Sequence, residues 1–328
     1  MDEFGINSRI NAAVLTPFDG TFLRMTMSPN PSTDGDERTV RVVDGDRQLA
    51  YGEYGDPTGV PVVFLHGTPG SHRLGELFDK AAAERGIRVV APDRPGYGRS
   101  DAWLDRTIID TGRAIVRVLD DVDVRTAGII AFSGGAPYAL AAAAEHPERV
   151  THVDLISGTV PPAVREPAPT VQRVLFGLAS TAPPVLRGLL RGQAWLAGRL
   201  GPSFVTAQYT ADNRQTPVPE DVAETVRADF RTALRTGAAG TITELRHAAS
   251  EWEIPSVDVD VRARHGTRDT NVPIGAARRF ASRVNARFES VEDADHLGTL
   301  RRSVPSLLDE HRRPQPQSDS TAPLEHGD

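Results

Sequence analysis

A chain of 328 residues, 39% apolar and 25% charged, has the composition of a soluble globular protein and enough length for one large domain with an insertion or for two small ones. Its formal charge of −7 offers no positive field for phosphate backbones, which argues against a nucleic-acid partner. The absence of cysteine removes disulfides, thiolate ligands and a thiol nucleophile, and the sole lysine, Lys80, lies in an amphipathic stretch (Leu74, Leu77, Phe78, Ala81, Ala82) where a solvated side chain explains it better than Schiff-base or Ser-Lys chemistry.

Residues 1–38 read as a flexible leader, polar and proline-rich over 28–38. It lacks the compact apolar segment and cleavage site of a secretory signal, and no apolar run nears the roughly 18 residues that span a bilayer, so a cytoplasmic protein without a membrane partner is expected. All three methionines, Met1, Met25 and Met27, fall in this leader, so translation starting at Met25 or Met27 would leave the fold intact. Thr39 to Val43 and Gln48 to Tyr54 alternate around Asp44-Gly45-Asp46 and predict a hairpin. Strand-like runs follow at Val60 to Leu65, Arg88 to Ala91, Ala127 to Phe132 and Val150 to Ile156, separated by helical periodicity at Leu74 to Arg85, Thr107 to Leu119 and Pro137 to Glu145. Strands alternating with helices imply βαβ crossovers, hence an α/β fold with a mostly parallel, doubly wound sheet.

From 159 to 250 the rhythm breaks into leucine- and alanine-rich helical segments punctuated by prolines, as expected of an inserted helical cap. Strand signals resume at Val257 to Ala263 and Ala286 to Val291, with helices at Ile274 to Val284 and after Leu297. The expected division is a core of 39–158 and 251–312, a cap of 159–250 and a disordered tail of 313–328.

Ala131-Phe132-Ser133-Gly134-Gly135 lies between a strand and a helix. A serine on so tight a turn needs small neighbours two positions away, which Ala131 and Gly135 supply, and the turn lifts its hydroxyl above the sheet at a helix N-terminus. A plain N-cap serine would also fit. His66-Gly67-Thr68-Pro69-Gly70 follows an earlier strand, and its backbone N–H groups, that of Thr68 above all, are candidates to join Gly134 in an oxyanion hole. His66 itself reads as a buried hydrogen-bonding residue. No pair of histidines has ligand-like i, i+4 spacing backed by a carboxylate, so neither a metal nor another cofactor is called for, and His72, His146, His152, His247, His311 and His326 read as surface or helix residues.

These motifs resemble the α/β-hydrolase superfamily over about residues 39–310 apart from the insertion. His66 to Gly70 resembles its oxyanion loop, Asp93-Arg94-Pro95-Gly96-Tyr97-Gly98-Arg99-Ser100 the turn after its fourth strand, with Asp93 structural, and Ser133 its nucleophile, with Ala131 replacing the usual first glycine. The family order of nucleophile, acid and histidine implies Asp269, in the loop Thr267 to Pro273, as the acid and His296, in Ala294 to Gly298, as the base. The chemistry fits: a serine hydroxyl is a weak nucleophile until a neutral imidazole takes its proton, and a carboxylate on the other ring nitrogen fixes the tautomer. Asp293, Asp295, Asp258, Asp260 and Asp154 are weaker candidates for the acid.

A serine at residue 133 argues against the epoxide hydrolases and haloalkane dehalogenases of the superfamily, which carry a carboxylate there. The resemblance implies a carboxylesterase-like enzyme whose substrate is a small or medium, largely apolar ester. Alternatives are a proline iminopeptidase-like enzyme, a carbon–carbon bond hydrolase and a non-hydrolytic receptor on the same scaffold. Of the cap residues, Leu175, Phe176, Leu178, Leu186, Leu189, Leu190, Trp195 and Leu196 are candidates to line the pocket, most of them expected to pack the cap onto the body instead.

Overall fold

A strand buried on both faces reads as a continuous apolar run, because neither side of the pleat meets water. Ala127–Phe132 is such a run, buried at every residue, and forms the centre of the sheet in a computed structural model that describes residues 38–42, 47–165, 170–211, 217–253 and 256–312. In chain order the first half comprises β1 (Arg38–Val42), β2 (Arg47–Gly55), β3 (Val60–Leu65), a 3₁₀ segment (His72–Phe78) running into α1 (Asp79–Ala83), β4 (Ile87–Pro92), α2 (Ile108–Asp121), β5 (Ala127–Phe132), α3 (Ala136–Glu145) and β6 (Val150–Ile156). Among the described residues five α-helices intervene before the next strand: α4 (Thr170–Thr181), α5 (Pro183–Ala197), α6 (Ser203–Thr206), α7 (Glu220–Ala233) and α8 (Ala239–Ala249). The chain returns to the sheet with β7 (Asp260–Gly266), α9 (Ile274–Arg283), β8 (Arg287–Val291) and α10 (His296–His311).

The eight strands lie in the order β1-β2-β4-β3-β5-β6-β7-β8. β1 and β2 pair antiparallel, as do β2 and β4, while the pairings from β4 through β8 are parallel. Alternate side chains divide between two cores. Val63, Leu65, Ile129 and Ala131 pack with α2, α3 and α9. Val62, Phe64, Ile130 and Phe132 pack on the other face with α1, α10 and inserted helices. The sheet is thus doubly wound, with the helical insertion between β6 and β7. Parallel pairing brings the carboxyl ends of β3, β5, β6 and β7 to one edge, where loops can gather side chains distant in sequence.

Local signals fix several boundaries. α2 begins with a reciprocal capping box in which Thr107 Oγ1 accepts from Asp110 N and Asp110 Oδ2 accepts from Thr107 N. The helix expected from Leu74 opens instead as a 3₁₀ turn at His72, whose N–H is held by the Asp93 carboxylate at 2.6 Å. β7 starts three residues later than expected: Val257 and Val259 are half-buried against the core without joining the ladder, which begins where Asp260 pairs with His152. Residues 1–37, the hairpin turn at 43–46 and the tail from 313 lie outside the described residues. Among those described, no helix is long and apolar enough to cross a membrane.

Candidate active site

Ser133 follows the last residue of β5 and has φ 50°, a left-handed conformation unusual for a residue with a side chain. The next two residues must be glycines. A Cβ on Gly135 would lie 2.8 Å from the carbonyl oxygen of Leu65, and one on Gly134 would lie 2.1 Å from Thr68 Oγ1. The Ser133 carbonyl accepts from Thr159 N at 2.9 Å, which ties the turn to the segment after β6. The chain then enters α3, so the hydroxyl sits at a helix N-terminus, where partial positive charge collects.

The loop after β3 runs beside this turn. A Cβ on Gly67 would stand 3.4 Å from Ser133 Cβ, and the Thr68 backbone nitrogen lies 3.2 Å from the place a Gly134 Cβ would occupy. The backbone amides of Thr68 and Gly134 are therefore neighbours next to the serine. Ser133, Gly134 and Thr68 all line a cavity of about 590 Å³ whose apolar walls include Leu175, Phe176 and Leu190 of the insertion and Trp252. Of the other insertion residues expected as candidates, Leu178 and Leu186 pack into the core, and Leu189, Trp195 and Leu196 are exposed.

His296 is the first residue of α10, and its Nδ1 lies 2.8 Å from Asp269 Oδ2. Asp269 Oδ1 accepts from the N–H groups of Asn271 (2.9 Å) and Val272 (3.0 Å), so the loop after β7 grips the carboxylate by its other oxygen. Burial alone would raise this carboxyl, but the positive potential and hydrogen bond of His296 and the backbone donor at Val272 outweigh it and hold Asp269 below the usual carboxylate range. His265, 3.4 Å from the same carboxylate, has its pKa lowered by burial; the neutral ring can donate from Nε2 to the Val272 carbonyl at 2.7 Å.

The His296 ring contacts Phe132 (centroids 4.8 Å) and Tyr209, which stacks at 6.3 Å and 12° between planes. Phe132 immediately precedes Ser133 in the chain. No hydrogen bond joins the Ser133 hydroxyl to His296 among the described residues.

The competing acids lie elsewhere or do other work. Asp295 caps α10 by accepting from Gly298 N at 2.7 Å, Asp293 is exposed, and Asp258 and Asp260 fall before and at the start of β7 rather than inside it. Asp93 is buried and accepts from His72 N and Nδ1, a structural role. His66 is buried; its Nδ1 can donate to the Gly67 carbonyl at 2.7 Å while Arg94 N donates to its Nε2 at 3.3 Å.

Of the histidines expected to be surface or helix residues, His72 and His311 lie in helical segments and His152 in β6, and all three are buried. His72 binds Asp93, and His152, Asp154 and His311 converge in the core near the amino end of β6, with His311 Nε2 at 2.9 Å from Asp154 Oδ2 and 3.1 Å from His152 Nε2. This is the group of three potential metal donors among the described residues. Arg262 Nη2 already donates to the same carboxylate oxygen at 2.7 Å, while Asp154 Oδ1 and Arg262 Nε are buried without a hydrogen-bond partner among the described residues. Spacing could not reveal the group, since His152 and His311 are 159 residues apart. His247 lines the cavity and contacts the Tyr138 hydroxyl at 3.0 Å.

Residues 60–301 match the family model described as alpha/beta hydrolase fold, and the chain belongs to that family. A non-heme chloroperoxidase of Streptomyces lividans is 29% identical over 273 residues, 79% of this chain and 92% of that protein. An uncharacterized hydrolase of Bacillus subtilis is 33% identical over 99 residues, 30% of this chain, a match spanning only 34% of its own length. Among solved structures, an esterase from Exiguobacterium antarcticum superposes with a TM-score of 0.63 at 20% identity, over 84% of this chain and 98% of that one, a likeness of fold.

Proposed function

We propose that the protein is a serine hydrolase cleaving small or medium, largely apolar esters through an acyl-enzyme. The observation that carries this is the buried Asp269–His296 hydrogen bond, 2.8 Å long, beside a serine held at φ 50° on a strand-to-helix turn. Neutral His296 takes the proton from the Ser133 hydroxyl as its oxygen attacks the ester carbonyl, and Asp269 stabilises the imidazolium. The carbonyl oxygen, now negative, receives hydrogen bonds from the N–H groups of Thr68 and Gly134. His296 returns the proton to the departing alkoxide, and water then repeats the sequence on the acyl-enzyme. In this reading residues 39–158 and 251–312 form the catalytic core and 159–250 the cap that roofs the pocket.

Cavity electrostatics favour a neutral or anionic substrate. Glu244 is the one carboxylate among the described lining residues, and Arg94 and Arg106 already neutralise it. Nothing of opposite charge is left over for a substrate ammonium, which places the proline iminopeptidase-like reading second. The test is hydrolysis of p-nitrophenyl butyrate by the wild type and by Ser133→Ala. Loss of turnover by several powers of ten in a folded variant supports the enzyme; equal rates in the two proteins would instead favour a binding protein on this scaffold.

A further inference from the structure

Behind the loop that follows β3 lies an ion pair with no part in the steps above. Arg94, on the turn after β4, and Glu244, on α8, are both buried and meet through two hydrogen bonds, Nε to Oε1 at 2.7 Å and Nη2 to Oε2 at 2.8 Å. Desolvating two charges cancels much of their attraction, so a buried pair is weak evidence of stabilisation in itself. Glu244 also accepts from the Tyr97 hydroxyl at 2.9 Å and from Arg106 Nη2 at 3.2 Å, but several further contacts of the pair converge on the loop. Arg94 Nη1 donates to the His66 carbonyl at 2.5 Å and Nη2 to the Gly67 carbonyl at 2.9 Å. The Gly67 oxygen is also within reach of His66 Nδ1 at 2.7 Å, and Glu244 Oε2 accepts from the Thr68 hydroxyl at 2.5 Å.

Peptide planarity turns these contacts into an aim. Across the trans bond between residues 67 and 68 the carbonyl oxygen and the following N–H point in opposite directions within one plane. Tying the Gly67 oxygen to the guanidinium and imidazole therefore turns the Thr68 N–H the other way. Glu244 adds a second restraint by holding the Thr68 side chain against Gly134, where a Cβ would meet it at 2.1 Å.

We propose that Arg94 and Glu244 are positioning residues for the oxyanion hole: they lock the 67–68 peptide plane so that the Thr68 N–H is aimed before substrate arrives. Because Glu244 belongs to the insertion, the hole is complete only with α8 seated. This inference rests on the reading of Ser133 as nucleophile and of the Thr68 N–H as an oxyanion donor.

The test uses Arg94→Lys, which keeps a charge opposite Glu244 but loses the fork, and the neutral pair Arg94→Met with Glu244→Gln, which avoids an unpaired buried acid and leaves Arg106 its hydrogen bonds to Thr111 and the Trp103 carbonyl but no counter-charge. Each is checked for folding by circular dichroism. Each is assayed with p-nitrophenyl butyrate and with two inhibitors of matching chain length: a trifluoromethyl ketone, which forms an oxyanion with an attacking serine, and the corresponding secondary alcohol, which does not. Removal of a whole oxyanion donor costs on the order of 10²- to 10³-fold in kcat, so a misaimed one is expected to cost roughly 10- to 100-fold, with KM changed by less than about threefold. The ketone should weaken by the same factor as kcat while the alcohol binds as before. Unchanged kcat in a folded variant, or ketone and alcohol weakening together, overturns the proposal. Should Arg94→Lys fail to fold, the neutral pair decides by the same ratio. The underlying reading fails separately: Ser133→Ala would then retain the wild-type rate, whereas loss of activity there with unaltered Arg94 variants rejects the positioning role alone.

Discussion

Replacing Asp269 by asparagine exchanges one carboxylate oxygen for an NH₂ group, and the surrounding donors decide which one. Oδ1 accepts from two backbone N–H groups, those of Asn271 at 2.9 Å and Val272 at 3.0 Å. An NH₂ group there would face two donors, so the amide oxygen must take that position and Nδ2 falls where Oδ2 now meets His296 Nδ1 at 2.8 Å. There it can only donate. Nδ1 then becomes an acceptor and the ring proton moves to Nε2, the nitrogen that must be bare to accept the serine proton. The imidazolium would also lose its counter-charge. Together these should lower kcat/KM by roughly 10⁴-fold, about 5 kcal/mol of transition-state stabilisation. Hydrogen bonding around the loop is otherwise preserved, so the variant should unfold within a few degrees of the wild type. Ester turnover, thermal unfolding and the nitrogen chemical shifts of His296 read the three parts of this argument separately. A folded Asp269→Asn protein within about tenfold of wild-type kcat/KM would refute it.

Three other perturbations test neighbouring features. Gly134→Ala forces Thr68 to retreat, because the new methyl would stand 2.1 Å from its Oγ1 and 2.8 Å from its Cβ; a displacement of about 1 Å at an oxyanion donor should cost roughly 10²-fold in kcat, measured with the same ester. Asp295→Asn should leave turnover nearly unchanged, since asparagine caps a helix as well as aspartate does, and a loss comparable to that of Asp269→Asn would move the acid to residue 295. Asp229 on α7 accepts from Ser71 N and Oγ, yet burial pushes its carboxyl up to about 7. Between about pH 4 and 7 the folded state holds a proton that the unfolded state has released, so this group's contribution to stability declines as pH rises through that window. Urea unfolding at pH 5 and pH 8 should therefore show Asp229→Asn gaining on the wild type at the higher pH, by up to about 3 kcal/mol; an equal difference at both values contradicts the shift.

Much of this architecture is legible in the sequence because buried parallel strands leave little choice of residue. Ala127–Phe132 and Val150–Ile156 have the boundaries their apolar runs suggest. β7 is less regular: Arg262 and Arg264 alternate with its apolar residues and pair with Glu310 on α10, so the preceding valines look more strand-like than the strand does. At the site, Ser133 is legible because steric crowding demands small neighbours, and the segments expected to carry acid and base do bring Asp269 and His296 into contact. Arg94, Glu244 and Tyr209 are not legible as site residues. Arg94 and Glu244 lie 150 positions apart, and a salt bridge between a turn and a helix imposes no periodicity on either. Tyr209 follows a one-turn helix without any motif, and its place against His296 depends on tertiary folding alone.

That tyrosine makes the insertion difficult to exchange between relatives. Its ring covers one side of the His296 imidazole, its carbonyl accepts from Leu297 N at 3.1 Å, and the neighbouring Gln208 carbonyl accepts from Asn271 Nδ2 at 3.0 Å. A chimaera joined cleanly at β6 and β7 would import a foreign surface against the imidazole and the Asp269 loop at once. Such grafts need residues 208 and 209 to travel with 271 and 297 as one inherited block, whatever substrate the new roof is chosen to admit.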